Sequence, residues 1–237
     1  MDCPQAPAGR DRRHPHAEKK HVECRRASDQ FISAAYVECL VGVLDNTPIP
    51  HSIVFPTLVA DYIDALQAED KVSYSTYTEI LKHVFCVMSP GQVMLAFGDS
   101  LAKSILALLE STVTSSNTLR EGIIIAANYL PSQTNMYELV LSEEGKKGRI
   151  KIVENIPPDR YSAFTLHALL LSFYYVGQKL FPQNNWSRTG EIFLSSRKPT
   201  QFFDGKVPET FTFHFKQPQT EIVFNRRYLN LALTARH

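Results

Sequence analysis

The C-terminal stretch of the chain alternates between large apolar and polar residues, and this pattern constrains the fold more than any other. Phe211, Phe213 and Phe215 fall on one face of an extended chain, which is the period of a half-buried β-strand. A proline-containing turn follows at 216–219, and 220–224 is a second short apolar run. Two strands this close in sequence predict an antiparallel hairpin. Because each phenylalanine buries a large apolar area, the rest of the chain must supply a substantial core.

The first half of the chain carries apolar residues at helical spacing, interrupted by prolines. The spacing predicts helices over 28–44, from about 56 to 67, through 77–88 and through 92–109, with a short connector at 72–74. Short helices joined by short links should pack as an antiparallel cluster.

A capping signal marks the next helix. Thr118 precedes Glu121 by three residues, so that the hydroxyl and the carboxylate can each pair with an open backbone N–H. This predicts a helix that begins at Leu119 and ends before Pro131.

The pattern then changes to alternation with period two. Residues 136–142 and 149–153 alternate on either side of a glycine-containing turn, which predicts a hairpin. The segment 159–181 is apolar nearly all round and predicts a long buried helix between the sheet and the helical cluster. Residues 191–195 predict one more strand.

This order of elements predicts an α+β fold: an N-terminal cluster of short helices followed by a small antiparallel sheet packed on a long helix. Residues 1–27 are polar, without periodicity, and are expected to form a flexible basic tail. Residues 28–237 are expected to form one domain, with a helical part over 28–131 and an α/β part over 132–237.

The charge distribution argues against a DNA-reading surface on the folded body. Residues 1–27 hold seven Lys and Arg against four Asp and Glu, and the remainder holds 18 against 20. The tail therefore carries +3 and the body −2, whereas nucleic-acid-binding domains are basic.

The spacing of the cysteines and histidines indicates neither a disulfide framework nor a standard metal site. The four cysteines show no framework spacing and no export signal precedes them, so we expect reduced thiols in the cytoplasm. His14, His16, His21 and Cys24 are potential zinc ligands, but their spacing fits no standard finger, and we expect no metal.

No stretch is expected to span a membrane.

The sequence shows no phosphate loop, paired metal-histidine motif or nucleophile elbow, so we expect neither an enzyme nor a cofactor. A ligand pocket lined mainly by apolar groups with a few polar ones suits the seam between long helix, sheet and helical cluster. The candidate lining residues are Tyr129, Tyr137, Tyr161, His167 and Tyr174. The alternative is that the tyrosines only fill the core, and that His167 is a hydrogen-bonded core residue.

Several short segments, taken in order, resemble a known family. They are Leu95-Ala-Phe-Gly98, Thr118-Leu-Arg-Glu-Gly122, Asn128-Tyr-Leu130, Asn185-Trp186 and Leu231-Ala-Leu233. Over about 30–233 the chain resembles the arabinose-binding type of N-terminal domain in AraC/XylS transcription regulators, a label that does not identify a sugar ligand.

The resemblance implies a regulatory domain that binds a small-molecule effector, often dimerises, and is followed by two helix-turn-helix units that read DNA. Those units are expected to be missing from this sequence, so DNA would be contacted only through that missing part. An aromatic and aliphatic pocket would suit a fatty acid or another small acid. The alternatives are a protein-interaction module with no small-molecule ligand and an enzyme with an unfamiliar site.

Overall fold

The computed structural model describes residues 29–112, 118–180, 190–197 and 212–233. The chain is α+β, as predicted. The helices of the described part are α1 (Ala34–Val41), α2 (His51–Val54), α3 (Thr57–Asp64), α4 (Tyr74–Val87), α5 (Pro90–Thr112), α6 (Leu119–Gln133) and α7 (Arg160–Leu180). The strands are β1 (Phe31–Ser33), β2 (Lys71–Ser73), β3 (Tyr137–Glu144), β4 (Lys147–Glu154), β5 (Glu191–Phe193), β6 (Thr212–His214) and β7 (Thr220–Asn225). Short 3-10 turns lie at Leu44–Asn46 and Arg226–Asn230.

The strands form two sheets. Strands β1 and β2 make a small antiparallel pair, and the other five are ordered β3-β4-β7-β5-β6. Strand β7 lies at the centre of the larger sheet, and all its residues except the last are buried. The sheet is mixed, because β5 and β6 run parallel while the other three pairings are antiparallel. The expectation of a wholly antiparallel sheet is therefore wrong at this edge.

The predicted C-terminal hairpin is also wrong. Strand β5 lies between β6 and β7 and pairs with both. The turn between β6 and β7 forms hydrogen bonds with the chain after β5. Lys216 N–H donates to Ser196 O at 2.9 Å, and Gln217 N–H donates to Leu194 O at 2.8 Å. Lys216 has a positive φ of 58°, which changes the direction of the chain in this turn. Alternation specifies the faces of a strand but not its neighbour. Phe213 and Phe215 are only half-buried, and Phe211 lies outside the described residues.

The first predicted helix begins later than expected. Residues 31–33 are strand β1, and α1 starts after Ser33, whose hydroxyl accepts a hydrogen bond from Tyr36 N–H at 3.3 Å. The predicted connector at 72–74 supplies the partner strand, with Ile32 opposite Val72. Both side chains are fully buried, and their cross-strand pairing replaces the helical turn that periodicity suggested.

The capping box is confirmed. Thr118 N–H donates to the Glu121 carboxylate at 3.2 Å, and Glu121 N–H donates to the Thr118 hydroxyl at 3.4 Å. Helix α6 nevertheless runs through Pro131 to Gln133. Since the missing N–H falls in the last turn, only one helical bond is lost there.

Helix α7 is the centre of the core, as predicted: 14 of its 21 residues are buried. On one side it packs against α5, where the Phe97 and Phe164 rings stack with centroids 6.1 Å apart. On the other side it meets the sheet, where the Tyr137 hydroxyl donates to Ser162 O at 2.7 Å.

Helix α5 meets the length and hydropathy criterion for a membrane-spanning helix, although no stretch of the sequence was expected to do so. Residues 90–109 are long and apolar enough to cross a membrane, although only by length and composition. Part of this helix packs against the buried α7, and the Phe97 ring is fully buried. Core helices of globular proteins satisfy the same criterion.

The helix crossing at Gly98 gives a stability prediction. A Cβ at Gly98 would lie 2.9 Å from Leu171 Cβ and 3.1 Å from the Ala168 carbonyl oxygen. Gly98→Ala is therefore expected to overpack the crossing by about 1–3 kcal/mol, reduced by the better helix preference of alanine to a net loss of about 1–2 kcal/mol. Urea unfolding measures this loss. Ala107→Ser, on the exposed face of the same helix, should change stability little, and a more stable Gly98→Ala would contradict the close crossing.

Candidate functional site

The described part of the chain holds an apolar cavity between α5, α6, α7 and the larger sheet. The centre of a water molecule can occupy about 60 Å³ of it. The lining is entirely hydrophobic: Ile105, Leu109, Leu119, Gly122, Ile123, Ala126, Leu139, Ile150, Phe173, Val176, Gly177, Leu180, Ile222 and Leu233. Among the residues that the structure describes, no charged side chain and no side-chain hydroxyl, amide or imidazole belongs to this lining.

Helical and strand periodicity together build the cavity. Helix α6 contributes Leu119, Gly122, Ile123 and Ala126, which share one face because they are spaced by three and four residues. Helix α7 contributes the same spacing from Phe173 to Leu180. The sheet contributes Leu139, Ile150 and Ile222 from its three neighbouring strands β3, β4 and β7, with Ile150 paired directly opposite Ile222.

The size and lining of the cavity define what it can hold. A cavity with such walls remains dry, because a water molecule needs two to four polar partners. A dry cavity of about 150 Å³ lined by leucine, isoleucine and phenylalanine binds benzene. The present cavity is smaller, so complete enclosure of a metabolite-sized molecule requires its walls to move. A sugar would leave its hydroxyl groups without partners, at a cost of about 1–3 kcal/mol for each.

A smaller cavity of about 10 Å³ adjoins the first. The two share Ile105, Ala126, Leu139 and Phe173 as walls, and the smaller one also touches Tyr36 and Tyr129. Its remaining lining residues are Leu108, Leu130 and Leu169.

An ionic cluster joins the start of α6 to the larger sheet. Glu143, near the end of β3, pairs through one oxygen with Arg120 of α6 and through the other with Arg226, just after β7. The hydrogen bond from Arg120 is the main cause that lowers the pKa of Glu143, and Arg226 adds to it. The carboxylate therefore stays charged and joins the first turn of α6 to the sheet.

The five predicted site residues do not surround one cavity. Tyr129 touches the smaller cavity and is 38% exposed. Tyr137, Tyr161, His167 and Tyr174 are buried. Burial raises the pKa of Tyr137, and its hydroxyl is bonded to the backbone of α7. Contact of any of the five with an effector stays a prediction.

His167 and Tyr161 occupy different parts of the core. The His167 Nε2 lies 3.3 Å from the Ser196 hydroxyl, and burial lowers the pKa of this imidazole from 6.5 to about 3. It is therefore a neutral, hydrogen-bonded core histidine. The Tyr161 ring stacks on Phe85 with centroids 6.2 Å apart, and the Arg160 guanidinium lies 4.4 Å from its centroid. Tyr174 packs edge-on against Tyr175 with centroids 5.5 Å apart.

Sequence reasoning missed the aliphatic lining of the cavity. The only signal was the pair of small residues Gly122 and Ala126 on the buried face of α6. No group of three or more metal-binding side chains occurs among the described residues. The residues considered for zinc, in the predicted tail, lie outside the described part.

Small-molecule sites in proteins are concave and mostly apolar, and the cavity between the helices and the sheet of this α+β domain has both properties. The sequence matches the family described as "Arabinose-binding domain of AraC transcription regulator, N-term" over residues 63–233. The match covers most of the chain, and the chain therefore belongs to this family of regulatory domains. The predicted resemblance is confirmed.

One solved structure supports the same fold. It is the crystal structure of the transcriptional regulator CdpR from Pseudomonas aeruginosa, with a TM-score of 0.52 and 9% sequence identity. The alignment covers 86% of this chain and 58% of that chain, so this chain spans less than two thirds of that regulator. The comparison with curated proteins finds no match.

Proposed function

We propose that this chain is the effector-sensing domain of a bacterial, cytoplasmic AraC-type regulator, and that its effector is an apolar molecule bound in the cavity between α5, α6, α7 and the sheet. The observation that carries the proposal is the wholly hydrophobic lining of that cavity. Family membership supports a regulatory rather than an enzymatic role. DNA contact is assigned to a part of the regulator outside this sequence, which agrees with the net charge of −2 outside residues 1–27.

The cavity volume suggests how binding becomes a signal. An effector shifts an equilibrium only if it binds two conformations with different affinity. The described walls leave too little space to enclose an acyl chain completely, so full enclosure of one requires a conformation that differs from the free one. The contracted cavity then represents the effector-free state.

The hydrophobic lining is expected to bind neutral effectors more tightly than charged ones. No lysine or arginine of the described segments lines either cavity, so a carboxylate would have to remain at the solvent end or lose its charge. A neutral chain such as 1-decanol is therefore expected to bind more tightly than decanoate. A fatty acid would place only its hydrocarbon tail inside.

Thermal unfolding tests the proposal. A ligand that binds only the folded state raises the midpoint as its concentration rises. We expect such a rise with 1-decanol, a smaller one with decanoate, and none with arabinose or arginine. Ala126→Leu, which fills the space shared by both cavities, should abolish the rise while leaving the free domain as stable as before or more stable by about 0.5–2 kcal/mol.

Two results would redirect the proposal. A rise with arabinose alone would place a polar effector at a different site. Midpoints unchanged by every compound, together with a dimer in light scattering, would favour the second candidate, a protein-interaction module. We propose a homodimer for the effector-sensing domain as well, so the midpoint shifts and not the dimer separate the two functions.

A further inference from the structure

One wall of the cavity comes from the C-terminal end of the described chain. Leu233 is buried and lines the cavity beside Gly122 of α6. Its Cδ1 lies only 2.9 Å from the position that a Cβ at Gly122 would take. The glycine therefore creates the space in which the leucine side chain sits.

The backbone around Leu233 is attached to the start of α6. Leu119 N–H donates to Leu231 O at 2.9 Å, and Thr118 forms an isolated antiparallel bridge with Ala232. Leu231 N–H in turn donates to Tyr228 O at 3.0 Å. We call residues 231–233 the exit segment.

The exit segment is the least secured wall among the described residues. The other lining side chains belong to helices of 15 residues or more, or to strands paired on both sides or along their full length. The exit segment is held by one bridge and a few backbone hydrogen bonds. Upstream, Arg226 is anchored with Arg120 on Glu143, and Tyr228 and Leu229 are buried, so the exit segment follows these anchors. Local opening starts where the fewest bonds must break.

We propose that cavity occupancy is transmitted to the C-terminal side of the domain by displacement of Leu233, which releases the exit segment from the first turn of α6. The inference rests on the proposed function, since it names how the same cavity is read out. Leu233 and Gly122 act as positioning residues. The class of ligand is an apolar chain long enough to require the space of the leucine side chain.

Gly122→Ala tests the coupling without any ligand. The new methyl group occupies the space of Leu233 Cδ1 and lies 3.7 Å from Leu109 Cδ2, so the end of the Leu233 side chain must shift. Hydrogen exchange is expected to accelerate about tenfold or more at the amides of Leu119 and residues 231–233, with the sheet amides unchanged.

Gly98→Ala is the control for general destabilisation, since it places a Cβ 2.9 Å from Leu171 Cβ, between α5 and α7 and away from the exit segment. It should leave the exit segment protected. Equal acceleration in both variants would overturn the proposal, because the effect would then be general loosening of the fold.

The double variant Gly122→Ala/Leu233→Ala tests whether the leucine carries the effect. When the Leu233 side chain is absent, the new methyl group meets no clash. The double variant should therefore exchange the Leu119 amide no faster than Leu233→Ala alone. An undiminished acceleration in the Leu233→Ala background would contradict the coupling.

The probe 1-decanol separates this inference from the proposed function. If it raises the unfolding midpoint and accelerates exchange in the exit segment, both stand. If it raises the midpoint while the exit segment stays protected, the coupling fails and the binding site stands. If it does not bind but Gly122→Ala still releases the exit segment, the proposed effector fails and the coupling stands.

Discussion

Acidification from pH 6.5 to pH 4.5 is expected to cost the folded domain about 2 kcal/mol through His167 alone. Burial lowers the pKa of this imidazole from 6.5 in the unfolded chain to about 3 in the folded one. Between these values the unfolded chain binds a proton that the native state does not. The stability is therefore fully present above pH 6.5 and is lost as the pH falls, by about 1.4 kcal/mol for each pH unit.

Urea unfolding at pH 7.5, 6.5, 5.5 and 4.5 measures this slope. His167→Leu should have a smaller slope below pH 6.5, by about one proton. Ser196→Ala is the control: because burial and not the Ser196 hydroxyl is the cause that lowers the pKa, its slope should match that of the wild type. Equal slopes for His167→Leu and wild type would show that this histidine is not the buried neutral group described above.

Arg149→Met is expected to destabilise the domain by about 3 kcal/mol at neutral pH. Glu221 lies on the central strand β7 with its side chain only 10% exposed, and the Arg149 guanidinium contacts it at 2.9 Å. Without the arginine, the carboxylate keeps one hydrogen bond from the Gln219 amide at 3.1 Å and loses its counter-charge. A buried charge without a partner costs several times more than an exposed one.

The double variant Arg149→Met/Glu221→Leu identifies the origin of that loss. Replacing both partners by apolar residues removes the stranded charge, so stability should return to near the wild-type value. Urea unfolding of the four proteins gives the coupling energy. Glu144→Gln, which removes the second and exposed partner of Arg149, should cost less than about 1 kcal/mol. A single variant Arg149→Met as stable as wild type would show that water screens Glu221.

Local signals in the sequence predicted those elements whose stability is local. The capping box at Thr118 and Glu121 satisfies backbone groups within one turn, so its outcome does not depend on the rest of the fold. The all-round apolar character of 159–181 predicted a buried helix, since no other position in a small α+β domain hides every face. The α+β class followed from the segregated order of helices and strands.

Elements that depend on a distant partner were predicted poorly. Strand β1 forms because Val72 lies opposite Ile32, and nothing within 28–44 signals this pairing. The hairpin prediction failed because proximity along the chain favours pairing of β6 with β7, whereas β5, some twenty residues upstream of β6, lies between them.

The candidate site shows the same division. Polar side chains such as Tyr137 and His167 attract attention in a sequence, but burial and hydrogen bonds give them core positions. The cavity is defined by the incomplete packing of ordinary aliphatic residues from six elements and the exit segment. Incomplete packing is a property of the assembled volume and not of any residue pattern.

Periodicity and contacts between near neighbours were enough to predict the class of fold, the buried helix α7 and the capping of α6, and the resemblance of short segments in order indicated the family. The strand order, the neutral state of His167 and the position of Leu233 against Gly122 became evident only from the folded structure. Each of these depends on which distant segments share one volume, and loop closure and core packing select among several arrangements compatible with the same local pattern.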